Sequence, residues 1–199
     1  GYYFSTIKAS SETNDDLNSI ILNLDIDLGK KAKIKDIIFV GDKKFKDKKL
    51  LEIIASEEHK FWKFISNKVY LNESIINFDK RLLTNFYKNE GYYNVEVLDS
   101  FAELNEKGSF KIIFNINSGK QYFFNELALT LPEDYKKKDF YNIYKIFKNI
   151  KNEKYSINKI DLILKEIDNI ASRKLYDFID ADVEEIITDN NKINFNFKI

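Results

Sequence analysis

With 199 residues the chain has room for one or two domains, and its 44% hydrophobic and 15% aromatic content with a single proline excludes collagen-like and disordered classes. Thirty-two basic and 32 acidic side chains cancel, so long-range attraction to nucleic acid or to an anionic membrane is not expected and the partners to look for are proteins. The absence of cysteine removes disulfides, thiolate catalysis and most structural zinc, and there is neither a long apolar run for a spanning helix nor a signal-peptide pattern; if the protein is exported, the sequence reads as an internal fragment.

The chain opens on Gly1-Tyr2-Tyr3 and returns to Gly91-Tyr92-Tyr93. Ile20, Leu22, Leu24 and Ile26 alternate with polar residues ahead of Gly29, as do Phe110, Ile112, Phe114 and Ile116 ahead of Gly119, which predicts one strand written twice in the same phase. Polar clusters at Glu12–Asp16 and Asn105–Ser109 supply the hairpin turns. A third copy follows in LYDFIDADVEEI, a TDNNK turn, and the alternating Ile193, Phe195, Phe197 and Ile199.

Helices precede the second and third hairpins. Asn72 is the expected N-cap of one, with Leu71 and Ile76 as its hydrophobic staple; Ser156 is the expected N-cap of the other, with Tyr155 and Ile160. A shorter apolar helix precedes each, around Leu50–Ala55 and Phe140–Phe147, and a strand precedes that, at Ile34–Gly41 and Tyr122–Leu131. Each complete unit reads β-α-α-β-β, with boundaries expected near Gly29 and Gly119: a hairpin over 1–29, and complete domains over 30–119 and 120–199. A lone hairpin is too small to be stable by itself, so something must hold residues 1–28.

The run IIFVGDKKF, a short helix, then FWKFISNKVYLNESIINFDKRLLTNFYKNEGYYNVEV resembles the POTRA domains of the BamA-type outer-membrane barrel-assembly family. The ordered set includes Gly41, Phe45, Trp62, Tyr70, Asp79, Leu82, Phe86, Tyr87, Gly91 and Tyr92. The long segment between helices, with its Phe-Trp pair, resembles the third domain in particular, so that the chain reads as the end of domain two and all of three and four. Leu175 and Ile163 depart from the pattern, standing where a glycine and an aspartate are expected. The resemblance implies an α+β fold of tandem POTRA-like domains, each a three-stranded mixed sheet with two helices on one face. It also implies a periplasmic scaffold, on a parent anchored by a C-terminal barrel, that binds unfolded outer-membrane proteins and accessory lipoproteins. Two-partner secretion transporters and cell-division scaffolds also carry such domains; repeated units speak against the latter.

Enzymatic signatures are absent: there is no phosphate-cradling loop, nucleophile elbow, Cys-His pair or metal-ligand spacing, and neither cofactor nor metal is expected. His59 reads as a loop residue, and Asp79, on an apolar stripe, as a carboxylate bonded to nearby backbone or a tyrosine. Phe61, Trp62 and Phe64 either cover the core or form a partner patch. Asp180, Asp182 and Glu184 are expected on the outward face of a strand, where acid discourages pairing. Tyr93, Val95 and Val97 should face the helices while Asn94, Glu96 and Leu98 point away. In a POTRA-like sheet this second strand lies at an edge, and Asn94, Val95, Glu96, Val97 and Leu98 are the expected edge for client or lipoprotein strands.

Overall fold

The computed structural model describes residues 2–14, 19–29, 31–59, 67–105, 108–174, 176 and 181–199. In chain order the elements are β1 (Thr6–Asn14), β2 (Ser19–Asp27), β3 (Lys33–Asp42), α1 (Asp47–Ile53), α2 (Glu73–Asn89), β4 (Glu96–Leu104), β5 (Ser109–Asn117), β6 (Phe123–Thr130), α3 (Tyr141–Ile150), α4 (Ile157–Lys174), β7 (Asp182–Thr188) and β8 (Lys192–Lys198). They form a two-stranded sheet β1-β2 and two three-stranded sheets, β3-β5-β4 and β6-β8-β7. The fold is α+β, in tandem POTRA-like domains. By packing, the chain divides into two compact units, 1–40 with 45–81 and 98–115, and 41–44 with 82–97 and 116–199. The second half of α2 and the turn after it thus belong with the C-terminal sheet.

In the first unit, β1 and β2 pair antiparallel with Ile7 opposite Ile26, Ala9 opposite Leu24 and Thr13 opposite Ile20, which puts the apolar residues on one face of the ribbon. That face is uncovered among the described residues, with Ile20 72% exposed. The ribbon is tied at its base, where the rings of Tyr3 and Phe4 lie 5.7 and 6.2 Å from that of Phe110. Beyond it, Phe110, Ile112, Phe114 and Ile116 are buried at alternate positions of β5, and Phe114 stacks on Phe39 of β3 at 5.6 Å.

Asn72 caps α2 as its sequence predicts: Oδ1 accepts the N–H groups of Ser74 (2.9 Å) and Ile75 (3.3 Å). Leu71 and Ile76 are both buried beside it. One turn on, the fully buried Asp79 accepts the N–H groups of Ala55 (2.6 Å) and Ser56 (3.2 and 3.3 Å), the first donors after α1. These donors have left the helix and would otherwise be orphaned in the interior.

In the second unit, β8 is the central strand, parallel to β6 and antiparallel to β7, so the sheet is mixed. The pairing of β6 with β8 shifts between Phe124 and Leu127. The β7–β8 turn places Asn190 and Asn191 at φ 65° and 57°, a left-handed conformation that asparagine adopts more readily than most residues. Ile163, standing at the position where an aspartate is expected, is fully buried among Phe140, Ile143, Ile167 and their neighbours. No carboxylate is needed there, because the chain leaving α3 passes its Asn152 N–H directly to the Phe124 carbonyl at 2.9 Å.

The expected cap at Ser156 is corrected by the structure. Its hydroxyl donates to Asn89 Oδ1 at 2.8 Å, and that same oxygen accepts the Asn158 N–H at 2.9 Å. The first turn of α4 is therefore capped by the last residue of α2, because the amide oxygen of Asn89 reaches both groups and takes the place of a local acceptor.

Replacing Asp79 by Asn puts a donor among the donors it now accepts, and should cost about 2 kcal/mol of unfolding free energy. Burial is the largest influence on this carboxyl and raises it above the ordinary aspartate value, against the hydrogen bonds from Ser56 and Ala55 that lower it. A raised folded pKa gives a contribution that is complete below the unfolded value and is lost as pH rises through the folded one. Urea titrations of the parent and Asp79→Asn should thus show a stability gap that is widest below the unfolded aspartate pKa and narrows as pH rises through the raised folded one.

Candidate functional site: the sheet edges and the turn ahead of β4

A three-stranded sheet has two outer edges whose peptide groups need partners or water. In both complete sheets the first strand's outer edge is already occupied by the segment that joins its two helices. Along β3, Ile37 N–H donates to Glu58 Oε1 at 3.3 Å and Ile34 O accepts the His59 N–H at 2.7 Å. The neighbouring Ala32 O accepts the Leu71 N–H at 2.8 Å. Along β6, Phe124 exchanges hydrogen bonds with Asn152 and Glu153, and Tyr155 N–H donates to Tyr122 O, each at 2.9 Å. The opposite edges are β4 and β7, which end their sheets.

The predicted edge residues divide between the turn and the strand. Asn94 and Val95 precede β4, and the Val95 N–H is bonded to Tyr92 O at 3.2 Å, so it does not face outward as an open donor. The alternation is as read: Val95 is buried and Val97 half-buried, while Asn94, Glu96 and Leu98 are exposed, Leu98 at 48%. Phe61, Trp62 and Phe64 lie outside the described residues, as does Asp180.

On the other edge, Asp182 and Glu184 are exposed on the outward face, opposite Lys198 and Asn196 of β8. Lys198 Nζ lies 2.9 Å from Glu184 and holds its carboxyl below the ordinary glutamate value, so part of the repulsion read from the acidic row is neutralised across the strand. Glu185, opposite the buried Phe195, occupies the core side and accepts a hydrogen bond from the Tyr93 hydroxyl.

That bond belongs to the turn ahead of β4. Gly91 has φ 95°, and a Cβ on it would stand 2.7 Å from Gln121 Cγ, so both backbone conformation and close approach demand glycine. Around it, Gln121 Nε2 donates to Glu90 O and Tyr122 N–H to Gly91 O, both at 2.7 Å, and Asn94 Nδ2 donates to Tyr122 Oη at 3.1 Å. The Tyr93 ring meets Tyr155 edge-on at 5.0 Å and Tyr122 at 5.8 Å. Burial, then the hydrogen bond to Glu185 and its charge, push the Tyr93 hydroxyl up to about 12, and burial likewise raises Tyr155. Neither phenol ionises near neutral pH; Tyr93 serves as a donor, and both rings as packing surfaces.

Sequence reading missed Tyr93, Asn89, Gln121 and Glu185 as a group. The available signal was a spacing: Gln121 stands 30 residues after Gly91 as Lys31 stands 30 after Gly1. His59 is half-buried, and among the described residues no three His, Cys, Asp or Glu side chains gather as metal ligands. Among the same residues no helix is long and apolar enough to cross a membrane.

Residues 32–119 match the family described as POTRA, surface antigen variable number repeat. The fold is shared with the crystal structure of Haemophilus influenzae BamA POTRA3-5, at TM-score 0.60 and 13% identity over 100% of this chain and 73% of that one. It is also shared with Haemophilus ducreyi BamA lacking POTRA domains 1-3, at TM-score 0.61 and 11% identity over 84% of this chain and 29% of that one. The fold is accordingly that of the POTRA class, and residues 32–119 match its family.

In sequence it is similar to outer membrane protein assembly factor BamA. The Neisseria meningitidis serogroup B protein is 29% identical over 113 residues, covering 56% of this chain and 14% of that one. That of Buchnera aphidicola subsp. Acyrthosiphon pisum is 26% identical over 165 residues, 80% of this chain and 25% of that one. The chain thus spans a quarter or less of the length of these relatives.

Gly91→Ala should destabilise the fold by about 2 kcal/mol through its left-handed backbone and the crowding of Gln121. Adding Gln121→Ala should restore part of the loss, read as the urea midpoint of the double variant lying above that of the single one.

Proposed function

We propose that the chain is a periplasmic scaffold region of an outer-membrane protein assembly factor, and that the open edge of β4 takes up an extended segment of an unfolded outer-membrane protein as an added strand. In this reading 1–29 is the C-terminal hairpin of one POTRA domain and 30–119 and 120–199 are two complete ones, corresponding to the end of the second domain, the third and the fourth. Accessory lipoproteins dock on the same region, and a barrel elsewhere in the parent protein anchors it to the membrane. The observation that carries the proposal is the asymmetry of the edges: β3 is covered by the segment containing Glu58, His59 and Leu71, whereas β4 ends the sheet with no strand beyond it among the described residues.

Strand addition recognises mainly backbone, which suits clients whose sequences vary but whose extended conformation does not. The edge proposed is the strand itself, beginning with Glu96, Val97 and Leu98, since the Val95 N–H is taken by the turn. Leu98 gives an incoming strand an apolar neighbour on the outward face. The hairpin fits the same scheme. Its uncovered apolar face corresponds to the face of β7 and β8 that carries Val183, Ile193, Phe195 and Phe197, which the second unit covers with α3 and α4.

Successive residues of an edge strand point their N–H groups alternately into the sheet and out of it. Of the variants Val97→Pro and Leu98→Pro, one should lose a ladder bond and stability, and the other should keep its fold and weaken binding of an outer-membrane strand peptide several-fold. Peptide titration followed by amide shifts checks this. Shifts confined to β7, or equal affinity in the folded proline variant, would sink the β4 assignment.

A further inference from the structure

We infer that the Gly-Tyr-Tyr turn is a forward-facing joint, in which the first tyrosine packs back on its own repeat and the second is a plug seated in the repeat that follows. Residues 89–91, 93 and 94 bond to or pack on residues further along the same compact unit. Asn89 caps α4 through Ser156 and Asn158, Glu90 and Gly91 accept from Gln121 and Tyr122, Tyr93 packs on Tyr155 and donates to Glu185, and Asn94 donates to Tyr122. Tyr92 turns the other way, edge-on to Tyr87 of α2 at 5.7 Å.

Glu185 gives the clearest sign that the plug is built in. The exposed carboxylate of this edge strand, opposite the buried Phe195, accepts its hydrogen bond from Tyr93, 92 residues earlier. The glycine is required for a related reason, since the chain of the following repeat lies against it closely enough to exclude a Cβ.

The first copy, in the other compact unit, is independent support for the role of the second tyrosine. Tyr3, the counterpart of Tyr93, also reaches forward, onto Phe110 at 5.7 Å. Lys31, the counterpart of Gln121, also comes back to the turn, with its ammonium 5.4 Å from the Tyr2 ring centre. The third copy reads Leu175-Tyr176-Asp177. Tyr176, in the place of Tyr92, packs on Tyr135 of its own repeat at 4.2 Å and donates to Asp139 at 2.9 Å, and the position of the plug holds no ring. The backward half of the device survives where the forward half is missing.

The test uses the whole chain, partially aligned for NMR. In the parent, N–H and Cα–Hα residual dipolar couplings of 82–89 and of α4 should fit one alignment tensor. In Tyr93→Ala they should need two, and the Tyr122 and Asn158 amides should exchange about tenfold faster, the scale of a lost hydrogen bond or cap. Tyr93→Phe keeps the ring and should retain one tensor, with about threefold faster exchange at Tyr122 from loss of the Glu185 bond. If Tyr93→Ala does not fold, Tyr93→Leu, which removes the ring while keeping apolar bulk, carries the same readout. A single shared tensor with unchanged exchange in whichever of these two folds overturns the inference.

Discussion

Peptide groups on the outer edge of a sheet cannot be left buried and unbonded, and how each repeat meets that demand decides most of what it can do. Here the segment between the two helices is spent on the first strand. It supplies a carboxylate and backbone groups to β3, and backbone groups to β6. Once that segment is committed, nothing of the repeat among the described residues is left for the first strand of the hairpin, which ends the sheet. The helices then have one face to cover, and the alternating phenylalanines and isoleucines of β5 and β8 point into it. An edge open to other chains follows from how a β-α-α-β-β order spends its connections.

The same economy appears where repeats meet. A helix end leaves carbonyls behind it and a helix start leaves amides ahead of it. Asn89 closes α2 and, with one side-chain oxygen, opens α4. Packing accordingly assigns the last turns of α2 to the C-terminal unit although the first turns belong with the preceding one. A boundary drawn at Gly119 describes the order of elements along the chain, whereas the packing boundary falls inside a helix.

What the sequence disclosed was local. Period-two alternation marked Phe110 to Ile116 and Ile193 to Phe197 because both sides of a strand are written in consecutive residues. Asn72 was legible as a cap because the amides it accepts lie two and three residues on. Ser156 has equally good local credentials, yet its hydroxyl is drawn to an amide 67 residues away, and no local pattern carries that. The start of β4 was read two residues early for a similar reason: the Tyr92 carbonyl takes the Val95 N–H within the turn that follows positive φ at Gly91, while the apolar alternation already runs through Val95. Glu185 looked like one more acid on an acidic strand, and only pairing with Phe195 shows which side it occupies.

Asp79 and Ile163 occupy matching helix positions, and the difference between them lies in the connectors rather than in the helices. The short connector of the last repeat hands its amides straight to β6, so an apolar side chain can fill the space; the long one leaves two amides facing α2, and only an acceptor will do. Connector and helix residue therefore form a coupled pair. A chimera that grafts the short connector into the first complete repeat without changing the aspartate would strand a carboxylate in apolar surroundings, and the reciprocal graft would strand two amides beneath an isoleucine. Recombination between such repeats is tolerated where the crossover keeps both members together, which makes the stretch from the end of the first helix to the second turn of the next a natural unit of exchange.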